Sequence, residues 1–442
     1  MFKSFPRNYK WPLWLAAVLL SSVVLAACGS DSSLSSSITA TALPQPAPSN
    51  TPIPATPLPN YPSNLFGATG VAAELVGGGS TLAEPIYKQW LGEYKKVAPK
   101  VNISYQPTGS GSGRGALLGT PVAANAVVAR PTVPLDFAGS DAPFNGEDLL
   151  KISDSAKPDP ANPNINKDVL HVPAALGGVA MAYRLDNYKG ELRLSGPTLA
   201  RIYLGEIKDW SDPNIATDNS AILAGGAFPA KPITVVIRKR ANSSGTSEIF
   251  TRYLSVVSSD FRTKVGPGGR PNWPTFGQLE GDGNDEVAAA ISGKDGTIGY
   301  VDLTAAKEKK LPYATIRNQT GRFIEPTTET ITAAAQGVSI PDDFRIFVVN
   351  AQGEYAYPIV GFTWLIVWRD FGNMPNPTSD KAQALANFLW WGIHDGQKNL
   401  PDGFAPLPIS LVQRLETRLV NQSGASDAKK VLTFKGQPIF NK

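Results

Sequence analysis

The chain has 442 residues, of which 42% are hydrophobic and 18% charged, and its formal net charge is +4. This length allows about two or three domains, and the composition is typical of packed globular cores. The small net charge gives no indication of a nucleic-acid-binding protein, which normally carries a clustered basic face. The single cysteine excludes an intrachain disulfide, and two histidines are too few for the cluster that a zinc hydrolase needs.

The N-terminus has the pattern of a secretory signal. A flank of two lysines and one arginine precedes an uncharged apolar run over residues 11–27, which is also close to the ~20 residues of a membrane-spanning helix. Residues 25–28, with the sequence LAAC, resemble the lipobox of bacterial lipoproteins, in which the signal is cut before the cysteine and the thiol receives a diacylglycerol. We therefore expect a lipoprotein signal peptide over 1–27 and a lipidated Cys28, rather than a lone buried cysteine.

A proline-rich segment follows the cysteine. No charged residue occurs from Ser32 to Ala73, where Pro, Ser, Thr and Ala dominate. Such a segment cannot bury enough apolar surface to offset its ordering entropy, and where it adopts polyproline II it extends by ~3 Å per residue. We expect residues 28–65 to form a disordered tether that holds a folded body off a membrane; a proline-motif docking site is the alternative.

From about Leu75 short apolar runs alternate with helical patterns. A strand at 75–76 leads to a helix that carries Ile86, Trp90, Leu91 and Tyr94 on one face, and residues 101–105 form the next strand. The β-branched run at 233–237 indicates a strand buried on both faces, and a second amphipathic helix follows it at 249–257. This alternation predicts an α/β body with mostly parallel sheets.

The sequence lacks several common nucleotide-binding, catalytic and calcium-binding motifs. The sequence contains no P-loop, and the glycine-rich segment at 109–113 fits neither the dinucleotide-binding motif nor the nucleophile elbow of hydrolases. Residues 282–286, DGNDE, resemble a calcium loop but lack the glutamate at its twelfth position. A helix N-cap is the better interpretation of that segment, because the apolar run at 287–291 follows directly.

Three loops share a local design that suits an anion. They are Gly77–Thr81, Gly109–Gly113 and Ser243–Ser247, each placed between a predicted strand and a predicted helix. Glycines let the backbone approach a ligand, hydroxyls donate, and free helix N-terminal N–H groups point outward. One such loop is usually a simple helix cap, but three in one chain, the last just after Arg238, Lys239 and Arg240, favour an oxyanion site.

Four blocks of sequence resemble the substrate-binding proteins of bacterial phosphate-specific ABC transporters. They are GSTL at 79–82, YQPTGSG at 105–111, DFAGSDAP at 136–143 and RANSSGT at 240–246. Supporting stretches are IYLGEIKDW at 202–210, GTIGYV at 296–301 and YPIVG at 357–361. The resemblance implies a type II periplasmic-binding-protein fold with two lobes and the ligand between them. Lobe I would combine 66–172 with 355–442, and lobe II would be 173–354.

The resemblance also implies how inorganic phosphate is held. Thr81 would donate from its hydroxyl and backbone and Leu82 from its backbone N–H, while Asp141 would accept the phosphate's own proton. The other expected donors are Ser110, Arg240 as the only guanidinium, Ser244, Gly245 and Thr246. No cofactor or metal is expected. The partners would be the ABC permease subunits of a phosphate importer, with an extracytoplasmic, lipid-anchored monomer delivering the ligand.

The chain departs from the family's pattern at three places. Leu82 stands where an aromatic residue is common, and Asn242 stands where an aspartate often pairs with the arginine. A neutral Asn242 would leave Arg240 more charge for the ligand. Residues 120–134 are an insertion of small and apolar residues to which we assign no function.

Three other functions compete with phosphate binding. The first is binding of another tetrahedral oxyanion, such as sulfate, which a carboxylate at Asp141 would repel because sulfate carries no proton. The second is a secreted phosphatase on the same scaffold, for which the sequence offers neither a nucleophile with a base nor a metal pair. The third is a ligand-free signalling or adhesion module, which would have no need of three donor loops. We therefore expect a binding protein and not an enzyme.

Overall fold

The computed structural model describes residues 71–119, 134–146, 149, 152, 168–223, 227–419 and 431–439. All of them fall in the unit Pro52–Lys442, and the unit Met1–Thr51 lies outside them. The predicted signal peptide, Cys28, the tether and most of the insertion at 120–134 are therefore outside the described residues. No helix in the described part of the chain has both the length and the apolar character that a membrane span requires.

Strands and helices alternate as the sequence predicted. In the described ranges the strands are β1 (Ala73–Gly79), β2 (Val101–Gln106), β3 (Phe137–Ser140), β4 (Val169–Arg184), β5 (Arg193–Leu194), β6 (Thr234–Arg238), β7 (Gln278–Gly281), β8 (Thr297–Asp302), β9 (Tyr313–Arg317), β10 (Phe323–Ile324), β11 (Val360–Trp368), β12 (Phe404–Ala405), β13 (Thr433–Phe434) and β14 (Gln437–Pro438). The helices of the same ranges are α1 (Glu84–Val97), α2 (Ser110–Leu117), α3 (Gly196–Tyr203), α4 (Pro213–Asp218), α5 (Gly245–Val257), α6 (Ser259–Lys264), α7 (Asn284–Gly293), α8 (Leu303–Glu308), α9 (Thr328–Ala335), α10 (Ser379–Ile393) and α11 (Ile409–Leu419).

The main sheet has the strand order β2-β1-β3-β11-β4-β8-β6-β7. Neighbouring strands are parallel at each end of the sheet: β1 lies between β2 and β3 at one end, and β6 lies between β7 and β8 at the other. The centre is antiparallel, since β11 pairs with both β3 and β4, and β4 pairs with β8. The predicted parallel arrangement thus holds at the ends of the sheet and not in its middle.

Each end of the sheet is covered by helices whose apolar faces supply the core. In α1 the buried residues are Ile86, Tyr87, Trp90 and Tyr94, whereas the predicted core residue Leu91 is only partly buried. All five residues of β6 are buried, as the β-branched run predicted. This burial matters for the site, because it brings the last residue of β6, Arg238, into the interior.

One predicted loop boundary changes in the structure, and one predicted helix N-terminus is confirmed. The segment Gly109–Gly113 is not a loop before a helix, because α2 already begins at Ser110 and only Gly109, with φ of 91°, lies outside it. A positive φ of this size is readily adopted by glycine and by few other residues. The prediction of a helix N-terminus at 282–286 is confirmed: α7 begins at Asn284, and the Glu286 carboxylate accepts the Gly283 N–H at 2.8 Å.

Candidate functional site

The centre of the candidate site is Asp141, which follows β3 directly and is 1% exposed. The Ser80 hydroxyl, just beyond β1, donates to its two carboxylate oxygens at 2.7 and 2.6 Å. Ser110, the first residue of α2, donates to Oδ2 at 3.1 Å and accepts the Asp141 backbone N–H at 3.1 Å. The carboxyl ends of β1 and β3 and the start of α2 therefore meet around one carboxylate.

Burial sets the electrostatics of this carboxylate. Desolvation raises the pKa of Asp141 above its usual value, while hydrogen bonds from Ser80, Thr363 and Ser110 and the charge of Arg238 oppose that rise. Desolvation in turn lowers the pKa of Arg238, and the Asp141 charge acts against that change. A carboxylate and a guanidinium thus share one water-poor region, where electrostatic interactions are stronger than in water.

Arg238 comes from the opposite end of the sheet, at the carboxyl end of β6, and is 3% exposed. Its backbone N–H donates to the Tyr300 hydroxyl at 3.0 Å. Its Nε donates to the Asp282 carbonyl at 2.9 Å, and its Nη1 donates to Oγ1 of Thr81 at 3.1 Å. Because Thr81 follows β1, this last bond joins the two ends of the sheet.

The third loop closes against the same carboxylate. Ser244 caps α5 by accepting the Ser247 N–H at 3.1 Å. A Cβ at Gly245 would lie 2.4 Å from Oγ of Ser110 and 2.5 Å from Oδ2 of Asp141, so no larger residue fits there without a shift. The Gly111 N–H donates to the Ser243 carbonyl at 3.0 Å, which ties α2 to this loop.

The structure brings six of the eight predicted ligand residues into or beside this cluster. They are Thr81, Ser110, Asp141, Ser244, Gly245 and Thr246. Leu82 follows Thr81 in the chain and is 1% exposed. Its side chain packs in the core against Gly177, where an added Cβ would lie 2.9 Å from its Cδ2. The Leu82 side chain is therefore part of the core, and its backbone N–H remains a predicted donor to the ligand.

Arg240 is the exception, since its guanidinium points away from the cluster. It donates to the Trp273 carbonyl at 2.7 Å and to the Gln278 side chain, and it pairs with Glu280 at 3.4 Å. The reason is geometric: Arg240 lies two residues beyond β6, on the side of the neighbouring strand β7. Asn242 pairs with neither arginine and donates instead to Asp282 at 2.7 Å. The arginine that the structure places beside Thr81 and Asp141 is Arg238.

Three further members of the cluster were not predicted: Ser80, Arg238 and Asn284. Arg238 was available from the sequence as the first charged residue after a buried parallel strand, because ligand sites of α/β sheets lie at the carboxyl ends of strands. Ser80 lies in a predicted donor loop, but the resemblance points to its neighbour Thr81 and not to Ser80. Asn284 lies in a predicted helix N-terminus, and that pattern gives no sign of its contacts with Thr81 and Thr246, which are distant in sequence.

The chemistry of this cluster suits an oxyanion that carries a proton. Hydroxyls, a guanidinium and glycine-rich backbone supply donors, and one carboxylate supplies an acceptor. Among the described residues no group of three or more His, Cys, Asp or Glu side chains is placed to hold a metal ion.

Comparisons with known proteins agree with the architecture. A family model described as a PBP superfamily domain matches residues 65–390. The phosphate-binding protein PstS of Xylella fastidiosa is 32% identical over 351 residues, which cover 78% of this chain and 84% of the relative. The protein of the same name from Methanocaldococcus jannaschii is 35% identical over 344 residues, covering 75% and 81%.

A solved structure shares the fold. The crystal structure of a phosphate-binding protein from Stenotrophomonas maltophilia matches with a TM-score of 0.57 at 20% identity, over 84% of this chain and all of the other. The fold and these matches define a two-lobed periplasmic binding protein of type II, which confirms the predicted fold class. Within that class the chain belongs to the PstS family of phosphate-binding proteins.

Proposed function

We propose that this protein binds inorganic phosphate outside the cytoplasm and delivers it to the permease subunits of an ABC importer. Its membership of the PstS family supports this function. The cluster around Asp141 supports it independently, since its donors and its single acceptor match a tetrahedral anion that carries at least one proton.

The observation that carries the proposal is the buried Asp141 carboxylate among donors. Phosphate near neutral pH is HPO₄²⁻ or H₂PO₄⁻, and both forms can donate a hydrogen bond to a carboxylate. Sulfate has no proton to donate, so its oxygens would face those of Asp141 with both groups removed from water. A site built to hydrogen-bond one ligand proton can reject an analogue without it by ~10⁴-fold or more.

In this proposal the ligand's negative charge is balanced mainly by Arg238, and Arg240 contributes only at longer range. The neutral donors are Thr81, the Leu82 backbone, Ser110, Ser244, Gly245 and Thr246. The hydroxyls of Ser80 and Ser110, which donate to Asp141, rotate about single bonds. Ser110 can therefore turn its proton to a phosphate oxygen when the phosphate proton takes its place on Asp141.

The proposal also assigns the rest of the chain. Residues 1–27 are a lipoprotein signal peptide, Cys28 is the lipid anchor, and residues 28–65 are a tether. Lobe I combines 66–172 with 355–442, lobe II is 173–354, and the two close on the ligand. The protein acts as a monomeric binding protein without enzymatic activity. In cells, Cys28→Ser should lose its labelled lipid, and retention of the label would contradict the anchor.

Equilibrium binding to the purified full-length chain tests the function. We expect saturable binding of radiolabelled phosphate with one site per chain, and sulfate should compete at least ~100-fold more weakly. Because phosphate should bind the folded chain and not the unfolded chain, it should also raise the free energy of unfolding, by about 2.7 kcal/mol at a hundredfold excess over Kd. No phosphate binding, or tighter binding of sulfate, would overturn the proposal.

A further inference from the structure

The Asn284 side chain is buried between two threonines from opposite ends of the sheet. It is the first residue of α7 and is 1% exposed. Its Nδ2 lies 3.3 Å from Oγ1 of Thr81, which follows β1, and 3.4 Å from Oγ1 of Thr246, which lies in the first turn of α5. One amide group therefore contacts two of the hydroxyls assigned to the phosphate.

These contacts determine the direction in which the hydroxyls donate. A primary amide nitrogen has two hydrogens and no acceptor, so both threonine oxygens accept from Asn284. The Thr81 oxygen also accepts from Nη1 of Arg238 at 3.1 Å. Since a hydroxyl oxygen has two lone pairs and one hydrogen, Thr81 has only its hydrogen left to use. That hydrogen must be donated to a group other than Asn284 or Arg238.

A second buried asparagine, Asn219, uses its side-chain amide differently from Asn284. In Asn219, which is 0% exposed, Oδ1 accepts the Arg193 N–H at 2.8 Å, and Nδ2 donates to the carbonyls of Arg193 and Ile215 at 2.8 Å each. In Asn284 only the nitrogen is used, and Oδ1 has no hydrogen-bond partner among the described residues. A buried carbonyl oxygen without a partner lowers the stability of the folded state, so the Asn284 position calls for a reason other than stability.

We propose that Asn284 is a positioning residue of the phosphate site. Its amide holds the oxygens of Thr81 and Thr246 as acceptors, so that both hydroxyl hydrogens point to the ligand before it arrives. The inference rests on the proposed function. It names a residue that affects phosphate binding through the hydroxyls of Thr81 and Thr246. Donors that are oriented in advance need no reorganisation when the anion binds, which increases affinity.

A double-mutant cycle tests this role. Asn284→Ala should weaken phosphate binding ~10-fold in the otherwise unchanged chain. In a chain that also carries Thr81→Val and Thr246→Val, the same substitution should cost less than ~2-fold, because the hydroxyls that Asn284 orients are gone. Asn219→Ala is the matched control: it removes an equally buried asparagine and should lower thermal stability while leaving Kd within ~2-fold.

The outcomes separate the inference from the function on which it rests. If Asn284→Ala weakens binding equally in both backgrounds, or not at all, the positioning role is wrong although phosphate binding stands. If the unsubstituted chain does not bind phosphate, the proposed function fails and this inference with it. Should Asn284→Ala fail to fold, Asn284→Ser replaces it in the same cycle, since one hydroxyl can donate to only one of the two threonines.

Discussion

Two buried aspartates of this protein are held in different ways. Asp370, which follows β11, is 0% exposed and accepts the backbone N–H groups of Gly372, Lys435 and Gly436 at 2.7, 3.0 and 2.7 Å and the Thr433 hydroxyl at 2.7 Å. Asp141 is as deeply buried, but its carboxylate accepts hydrogen bonds from the side-chain hydroxyls of Ser80, Ser110 and Thr363. One carboxylate is fixed mainly by backbone and the other by side chains.

The difference explains why only one of these carboxylates is suited to a ligand. A backbone N–H is fixed by the fold, and any group that displaced it from Asp370 would leave a buried donor without a partner. A serine hydroxyl can rotate and find another acceptor at little cost. The Asp370 arrangement therefore locks the hairpin β13–β14 onto the body, whereas the Asp141 arrangement can exchange partners when an anion arrives.

The largest effect is expected on the free energy of unfolding when Asp370 is changed. Asp370→Ala should lower the free energy of unfolding by about 3 kcal/mol, because it leaves several backbone donors without their acceptor. Asp370→Asn, which keeps one acceptor oxygen, should cost less. Urea denaturation measures both, and the Kd for phosphate of the folded chains should stay within ~2-fold of the parent. A loss of less than ~1 kcal/mol for the alanine variant would show that the hairpin is held by other contacts.

The second effect concerns the cation beside Asp141. Arg238→Ala should weaken phosphate binding ~100-fold, or ~2.7 kcal/mol, since it removes a buried guanidinium that forms charge-assisted hydrogen bonds. Arg240→Ala is the matched control and should change Kd by less than ~3-fold, because its guanidinium is engaged at β7. Titration calorimetry of both variants decides the assignment. If Arg240→Ala had the larger effect, the arginine of the motif, Arg240, would be the residue that binds phosphate.

A smaller effect is expected on selectivity when Asp141 is changed. The amide of Asp141→Asn can donate to a fully ionised anion, so sulfate should gain relative to phosphate by at least ~10-fold, or ~1.4 kcal/mol. Competition between the two anions on the same protein sample measures the ratio. An unchanged ratio would mean that discrimination arises elsewhere in the site.

The smallest effect is a pH dependence of stability in the absence of phosphate. Because burial raises the pKa of Asp141, the folded state takes up its proton more readily than the unfolded state does. The wild-type protein should therefore gain stability relative to Asp141→Asn as the pH falls through the raised pKa, and the gain should end below the usual carboxyl pKa of 3.8. Urea denaturation of both proteins between pH ~7 and pH ~4 follows the difference; a difference that is constant with pH would contradict it.

The sequence predicted well those features that depend on neighbouring residues. The buried strand β6, the helix N-terminus at 282–286 and the fold class all follow from local patterns or a motif. The sequence does not predict where a side chain lies after a strand ends: the motif favours Arg240, whereas the structure places Arg238, at the carboxyl end of β6, beside Thr81 and Asp141. Asn284 and Asp370 were missed because their partners are far along the chain, and residue spacing carries no sign of such pairs.

The long central strand β4 has a consequence for how the protein is made. Its residues Val169–Gly178 pair with β11 and Val179–Arg184 with β8, and almost all of its side chains are buried. During synthesis the first part of β4 lacks this partner until β11, Val360–Trp368, has been added. In that interval the nascent chain carries an apolar strand edge of the kind that promotes misassociation. A chain of this topology therefore has to be protected from misassociation until β11 has been made.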